Sequence, residues 1–142
     1  MGLKVLSSGK VIHGTWKAGK MDGFLKTISK RGECFEGQMH NNMKHGGGME
    51  VNAAGDKYEG DFNYNKKSGK GIIFYQNGDS YTGHWQSNKI HGEGKLTKRD
   101  GDTYEGHFDC GKINGLGKML YRLGGHYEGE WIDGHYNGLG EL

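Results

Sequence analysis

Eight histidines, two cysteines and seventeen acids offer every donor that a zinc site or a catalytic dyad would need. Their spacing is the first thing to weigh. His84 and His107 stand 23 residues apart, and Glu36, Glu59, Glu105 and Glu128 recur on that same step. Two lysine-bearing glycine runs, "GLGKML" and "GEGKLT", invite a phosphate-loop reading. Neither has the Walker spacing or a Ser/Thr straight after the lysine, and no helix follows to supply an N-terminus. Cys34 and Cys110 are far apart in the chain.

The step of 23 belongs to the whole chain. One column reads Ile12, Phe35, Tyr58, Tyr81, Tyr104, Tyr127; two residues on comes Gly14, Gly37, Gly60, Gly83, Gly106, Gly129; two more give Trp16, Met39, Phe62, Trp85, Phe108, Trp131. Further glycine columns start at Gly9 and Gly23, and another runs Gly2, Gly48, Gly71, Gly94, Gly117, Gly140 with Leu25 its exception. With 29 glycines among three Trp, eight Tyr and five Phe, this is not a disordered linker. Glycine in register is structural punctuation.

The column Gly19, Asn42, Asn65, Asn88, Gly111, Gly134 holds the two residues that best tolerate positive φ, which predicts a tight turn beside Lys112 and its equivalents. Asn77-Gly78 and Asp100-Gly101 predict a second turn per unit, of type I′. Two turns leave two segments of about six residues, an ordinary strand length. "YEGHF" alternates, with Tyr104, Gly106 and Phe108 on one face and Glu105 and His107 on the other; in the second strand Gly115, Gly117 and Met119 are expected to share a face. Each unit is therefore a β-hairpin. Rings are expected to lie in troughs left by glycine.

"YEGHFDCGKINGLGKML" and "YEGEWIDGHYNGLGEL" resemble the MORN repeat, Tyr-x-Gly-x-aromatic followed by Gly-Lys and Gly-x-Gly. The first two units depart from it at Ile12, Leu25, Phe35 and Met39 and are expected to be less regular. The resemblance implies an all-β fold: an elongated, twisted, single-layer antiparallel sheet of six 23-residue hairpins. About 13 strands are expected, near 60 Å long at ~4.8 Å per strand, without helices. Residues 1–8 form a partial repeat, and repeats start at 9, 32, 55, 78, 101 and 124, the last incomplete, as in a stretch of a longer array. The resemblance also implies attachment to protein or membrane, with no catalysis and no cofactor.

Strand geometry then disposes of most metal pairings. His84 and His107 lie two strands apart, roughly 10 Å, too far to share an ion. His40 with His45, or His84 with His91, can meet across turns, but no third ligand follows at metal-site spacing. Cys34 and Cys110 are too distant for a disulfide. Reduced thiols, no signal peptide and no apolar run near 20 residues read as a soluble, cytoplasmic chain. A net charge of +2 excludes nucleic acid as the expected partner.

The leading expectation is a scaffold that binds a protein or peptide along an aromatic groove: Tyr58, Phe62, Tyr81, Trp85, Tyr104, Phe108, Tyr127 and Trp131, flanked by Tyr75 and Tyr121 outside the packing columns. Self-association is expected through the C-terminal repeat, with Trp131, Tyr136 and Leu139 uncovered. The alternative is a peripheral module binding acidic phospholipids through Lys4, Lys10, Lys17, Lys20, Lys26, Lys30 and Arg31, or an arm of a larger enzyme; residues 1–31 carry these seven cations against Asp22 alone.

Overall fold

The computed structural model describes residues 2–136, so the expectations at Gly138, Leu139 and Gly140 lie outside the described residues. Thirteen strands run in chain order through one antiparallel sheet: β1 (Gly2–Val5), β2 (Val11–Lys17), β3 (Lys20–Ile28), β4 (Cys34–His40), β5 (Met43–Val51), β6 (Lys57–Asn63), β7 (Lys66–Phe74), β8 (Ser80–Gln86), β9 (Lys89–Thr97), β10 (Thr103–Asp109), β11 (Lys112–Leu120), β12 (His126–Ile132) and β13 (His135–Tyr136). No helix occurs among the described residues.

The tight turns fall where the Gly/Asn column places them. Cys110 and Gly111 both take positive φ (46° and 91°), as do Ser87 and Asn88, the signature of a type I′ turn. The asparagines add something the φ argument does not contain. Asn42, Asn65 and Asn88 each accept a hydrogen bond from a backbone amide of the preceding unit, at Met21, Lys44 and Lys67, while their own amides donate to the same residues' carbonyls. Along the opposite edge of the sheet the Asp56, Asp79 and Asp102 carboxylates accept from the Gln76, Arg99 and Arg122 amides, linking each wider turn to the next.

The second turn differs from the type I′ expectation. At Asn77-Gly78 only the glycine has positive φ, the Gly78 amide donates to the Tyr75 carbonyl, and the Tyr75 amide donates to Asp79. This is a type I turn closed by a glycine in the left-handed region, the three-residue hairpin connection. It needs positive φ once.

From β2 to β12, strands of seven and nine residues alternate, longer than the six expected. The nine-residue strands contain a bulge. Gly106 pairs with Gly117 but Phe108 with Ile113, so one residue on β10 faces three on β11. Gly115 sits inside this bulge at φ 100°, and a Cβ there would meet His107 Cβ at 3.1 Å. Gly115 therefore does not share the face of Gly117 and Met119, as strict alternation expects. Because the bulge adds two residues, Phe108 and Ile113 stay on the Tyr104 side.

Pairing lines the glycines into one row across the sheet: Gly37, Gly48, Gly60, Gly71, Gly83, Gly94, Gly106, Gly117, Gly129 are successive Cα partners. Each Tyr ring lies along this row within its own hairpin. A Cβ on Gly106 would stand 2.5 Å from the Leu116 carbonyl oxygen and 2.7 Å from the Tyr104 hydroxyl. The hydroxyls of Tyr58, Tyr81, Tyr104 and Tyr127 donate to the carbonyls of Asp61, His84, His107 and Glu130 at 2.7–3.0 Å. Between units the Phe/Trp column takes over. Phe108 is edge-on to both Tyr81 (5.1 Å) and Tyr104 (5.2 Å), and Trp131 to both Tyr104 (5.5 Å) and Tyr127 (5.2 Å). The chain of T-shaped contacts runs unbroken from Phe35 to Tyr127. Each such pair contributes about 0.5–1.5 kcal/mol beyond its buried area.

The first two units keep this geometry, bulges included. Where Tyr becomes Ile12, the partner of Gly14 is Leu25, whose side chain fills the trough that a ring occupies elsewhere. Both are buried. The departures compensate each other in volume, which is why irregularity does not follow.

Burial pushes the Tyr81 and Tyr104 hydroxyls up to about 12, and Tyr58 is raised by burial and by the Asp61 charge. These folded values exceed the unfolded value near 10, so the folded state keeps protons that the unfolded chain releases. Stability is complete below pH ~10 and is lost as pH climbs toward ~12. Melting followed from pH 8 to 12, with tyrosinate absorbance as the second signal, checks this; a melting temperature flat across that range contradicts it. Gly106→Val, which drives a branched side chain into the Tyr104 trough, is expected to cost about 3 kcal/mol, roughly 10 °C of melting temperature. His107→Val, on the opposite, exposed face, is expected to stay within about 2 °C.

Candidate partner-binding groove

Of the ten rings expected to line a groove, eight are where the alternation puts them, on one face, and they are consumed there. Tyr58, Tyr81, Tyr104 and Tyr127 are at most 1% exposed, and Phe62, Trp85, Phe108 and Trp131 at most 6%. Rings that cover their own sheet have no face left for a partner. Trp131 is likewise covered, at 3% exposure, rather than open at the end of the array. Tyr75 and Tyr121, expected outside the packing, are half-buried against the core instead, and Tyr75 also carries the backbone bonds of its turn.

The ring face is not apolar throughout. Lys44 and Lys67 occupy the positions held elsewhere by Met21, Ile90 and Ile113, and Glu50 the position of Ile73, Leu96 and Met119. Lys44 Nζ lies 2.9 Å from Glu50 Oε2 and 4.7 Å from the Phe35 ring centre; Lys67 Nζ lies 3.6 Å from Glu50 Oε1 and 5.4 Å from the Tyr58 ring. Burial opposes ionisation of Glu50, but the hydrogen bonds and charges of both lysines outweigh it and hold the carboxyl below its usual range. The triad is neutralised within itself save for one positive charge, and its two ammonium groups sit over the Phe35 and Tyr58 rings.

A groove of about 910 Å³ opens on the opposite, ring-free face. Its floor is the glycine row from Gly60 to Gly106, where no side chain rises from the backbone. One wall is Glu59, Ile72, Thr82, Lys95 and Glu105; the other is Lys70, His84, Glu93, His107 and Leu116. These residues flank the glycines strand by strand, so register alone aligns them. Leu116 is 67% exposed. Of the acid column, Glu59 and Glu105 lie in this wall with Thr82 between them, four strands apart and too spread for a catalytic pair.

The N-terminal cations do not share one surface. Lys17, Lys20 and Lys26 project from the ring-free face; Lys4 pairs with Ile12 on the ring side, Lys10 lines a small ring-side pocket with Thr27 and Phe35, and Lys30 and Arg31 lie in the turn before β4. Around the ring-free lysines the same face exposes Leu3, Val5, Val11, Phe24 and Ile28. Val5, Val11, Ile28, Cys34 and Val51 are successive partners across five strands. Two columns on the 23-residue step supply this stripe, Val5, Ile28 and Val51 in one and Val11 and Cys34 in the other, and cross-strand register lays them side by side. Cys34 and Cys110 are both free thiols.

Two histidines have a role that one-column reasoning misses. His45 Nδ1 accepts from the Tyr64 amide and His91 Nδ1 from the Cys110 amide, so each caps the tight turn of the following unit. At His91 the third donor sought in sequence is present after all, supplied by the neighbouring hairpin: His91, Asp109 and Cys110 hold their donor atoms within 4.8 Å of one another. His40 and His45 approach to 6.3 Å between ring centres.

The repeat seen in geometry is the repeat recognised by comparison. The family model described as MORN repeat matches residues 13–24, 35–57, 58–80, 81–103, 104–124 and 127–142. A search of curated proteins finds no match to the chain. Six matches in register over most of the length, on a single sheet of consecutive hairpins, place the chain in the MORN repeat family.

Proposed function

We propose that the chain is a non-catalytic scaffold that holds a protein or peptide partner in the groove on its ring-free face. The groove itself carries this reading: it is a broad concave surface of about 910 Å³, and its walls do no work in the core. The glycine floor lets a partner backbone approach closely. Ile72 and Leu116 offer apolar anchors near its two ends, with charges of both signs between them. From β6 to β11 the groove crosses six strands, ~24 Å, about the reach of seven extended residues.

Two features support additional contacts. The exposed Leu3, Val5, Val11, Phe24 and Ile28, ringed by Lys17, Lys20 and Lys26, favour a second reading in which the N-terminal units rest on an acidic phospholipid surface. At the other end Leu120, Leu123 and Ile132 are exposed, which supports self-association through the C-terminal repeat.

Affinity capture from the source cell identifies the partner, whose binding is then measured directly. Ile72→Glu and Leu116→Glu are expected to weaken it about tenfold or more with unchanged melting. If both bind normally while Tyr75→Ala or Tyr121→Ala abolishes binding at unchanged melting, the site returns to the ring side. Vesicles containing phosphatidylserine test the second reading: Lys17→Glu with Lys26→Glu is expected to release the chain from them, and equal co-sedimentation before and after removes it. Light scattering tests the third. Ile132→Asp with Leu123→Asp is expected to lower the mass toward one chain, and a monomer in the unaltered protein at high concentration dismisses self-association.

A further inference from the structure

We propose that His91, Asp109 and Cys110 form a surface site for Zn²⁺ or a similar borderline-soft divalent cation. An imidazole nitrogen, a carboxylate oxygen and a thiol sulfur, the donor types zinc takes, lie within 4.8 Å of one another, with His91 Nδ1 3.4 Å from Asp109 Oδ1. Donors around a tetrahedral zinc, at bond lengths of ~2.0–2.3 Å, stand roughly 3.3–3.8 Å apart. Coordination through Nδ1 replaces the bond that this nitrogen accepts from the Cys110 amide, and the donors sit on surface side chains, 38% exposed for His91 and 58% for Asp109.

The turn-capping bond explains the histidine but not the cluster. His45 makes the same bond to the Tyr64 amide two units earlier, and there the corresponding positions are Asn63 and Tyr64, which offer no carboxylate and no thiol. Only where β9 meets β10 do all three donor types coincide among the described residues. The turn fixes them. Cys110 is held at φ 46° beside the ring it bonds, and Asp109 ends the strand paired to that of His91. Two residues along the same strand pair, Glu93 and His107 are direct partners, with Glu93 Oε1 3.3 Å from His107 Nε2. Binding ionises the thiol and releases its proton to solvent. Three protein donors leave a fourth position for water or for a ligand carried by a partner, and Glu93 and His107 place it at the rim of the groove. The site stands whether or not the groove holds a peptide.

The whole chain, reduced and free of metal, is titrated with Co²⁺ and then with Zn²⁺. The expected result is a near-ultraviolet thiolate-to-cobalt charge-transfer band together with visible bands of four-coordinate cobalt, all lost on adding Zn²⁺. Cys110→Ser is expected to remove the charge-transfer band, and His91→Ala and Asp109→Asn each to weaken binding about tenfold or more. Cys34→Ser and His45→Ala are expected to change neither. Circular dichroism of every variant reports that the sheet is intact. Absence of cobalt bands in the unaltered chain, survival of the charge-transfer band in Cys110→Ser, or unchanged affinity in His91→Ala overturns the proposal.

Discussion

A tyrosine ring laid flat along a row of glycines is the contact on which the rest of this structure depends. A one-layer sheet has no second layer to cover its apolar face, so its side chains must cover it themselves. They can do so only where the strand beneath has no Cβ. At Gly106 a methyl group would stand 2.5 Å from a carbonyl oxygen and 2.7 Å from the Tyr104 hydroxyl. The glycine row costs backbone entropy, on the order of 0.5–1 kcal/mol per residue relative to alanine. Burial of the ring, its hydroxyl bond to a carbonyl three residues on, and its edge contacts to two Phe/Trp rings offset that cost.

Cohesion along the array is therefore nearest-neighbour in character, as expected of repeat architectures. The most regular units are tied to their neighbours three times over: by a Phe or Trp ring wedged between two tyrosines, by an asparagine where Asn65 or Asn88 holds the tight turn, and by an aspartate that bonds from one wider turn to the next. No tie reaches beyond the adjacent unit. Local variation is tolerated where volume is conserved, as with Ile12 and Leu25, or where charge is balanced, as with Lys44, Glu50 and Lys67 over Phe35 and Tyr58.

The same contact decides which side chains are spent on the core and which are left to solvent. Because the rings are spent on the sheet, the face that looks aromatic in sequence is closed. The glycine row, needed for the rings on one side, is bare on the other, and it becomes the floor of the groove. Wall residues such as Ile72, Lys95, His107 and Leu116 answer to no packing demand from the core and are free to differ from unit to unit. That freedom is what a recognition surface needs, and it is also how three metal donors come together at one turn.

The 23-residue step alone determined the hairpins, their number and order, the tight turns at the Gly/Asn column and the identity of the buried rings, because a strict period makes each unit's local geometry repeat and alternation assigns the faces. It left out whatever arises between units. The bulge at Gly115 was not legible, since alternation assumes one residue against one, and a positive φ turns that glycine out of the count. Nor was the wider turn's type, because Asn-Gly serves two turn classes and only the hydrogen-bond pattern separates them. The apolar stripe from Val5 to Val51, the groove walls and the meeting of His91 with Asp109 and Cys110 each join residues from different columns. Cross-strand register and the two-residue bulge set those neighbours, and they are fixed only when the hairpins pair into one sheet.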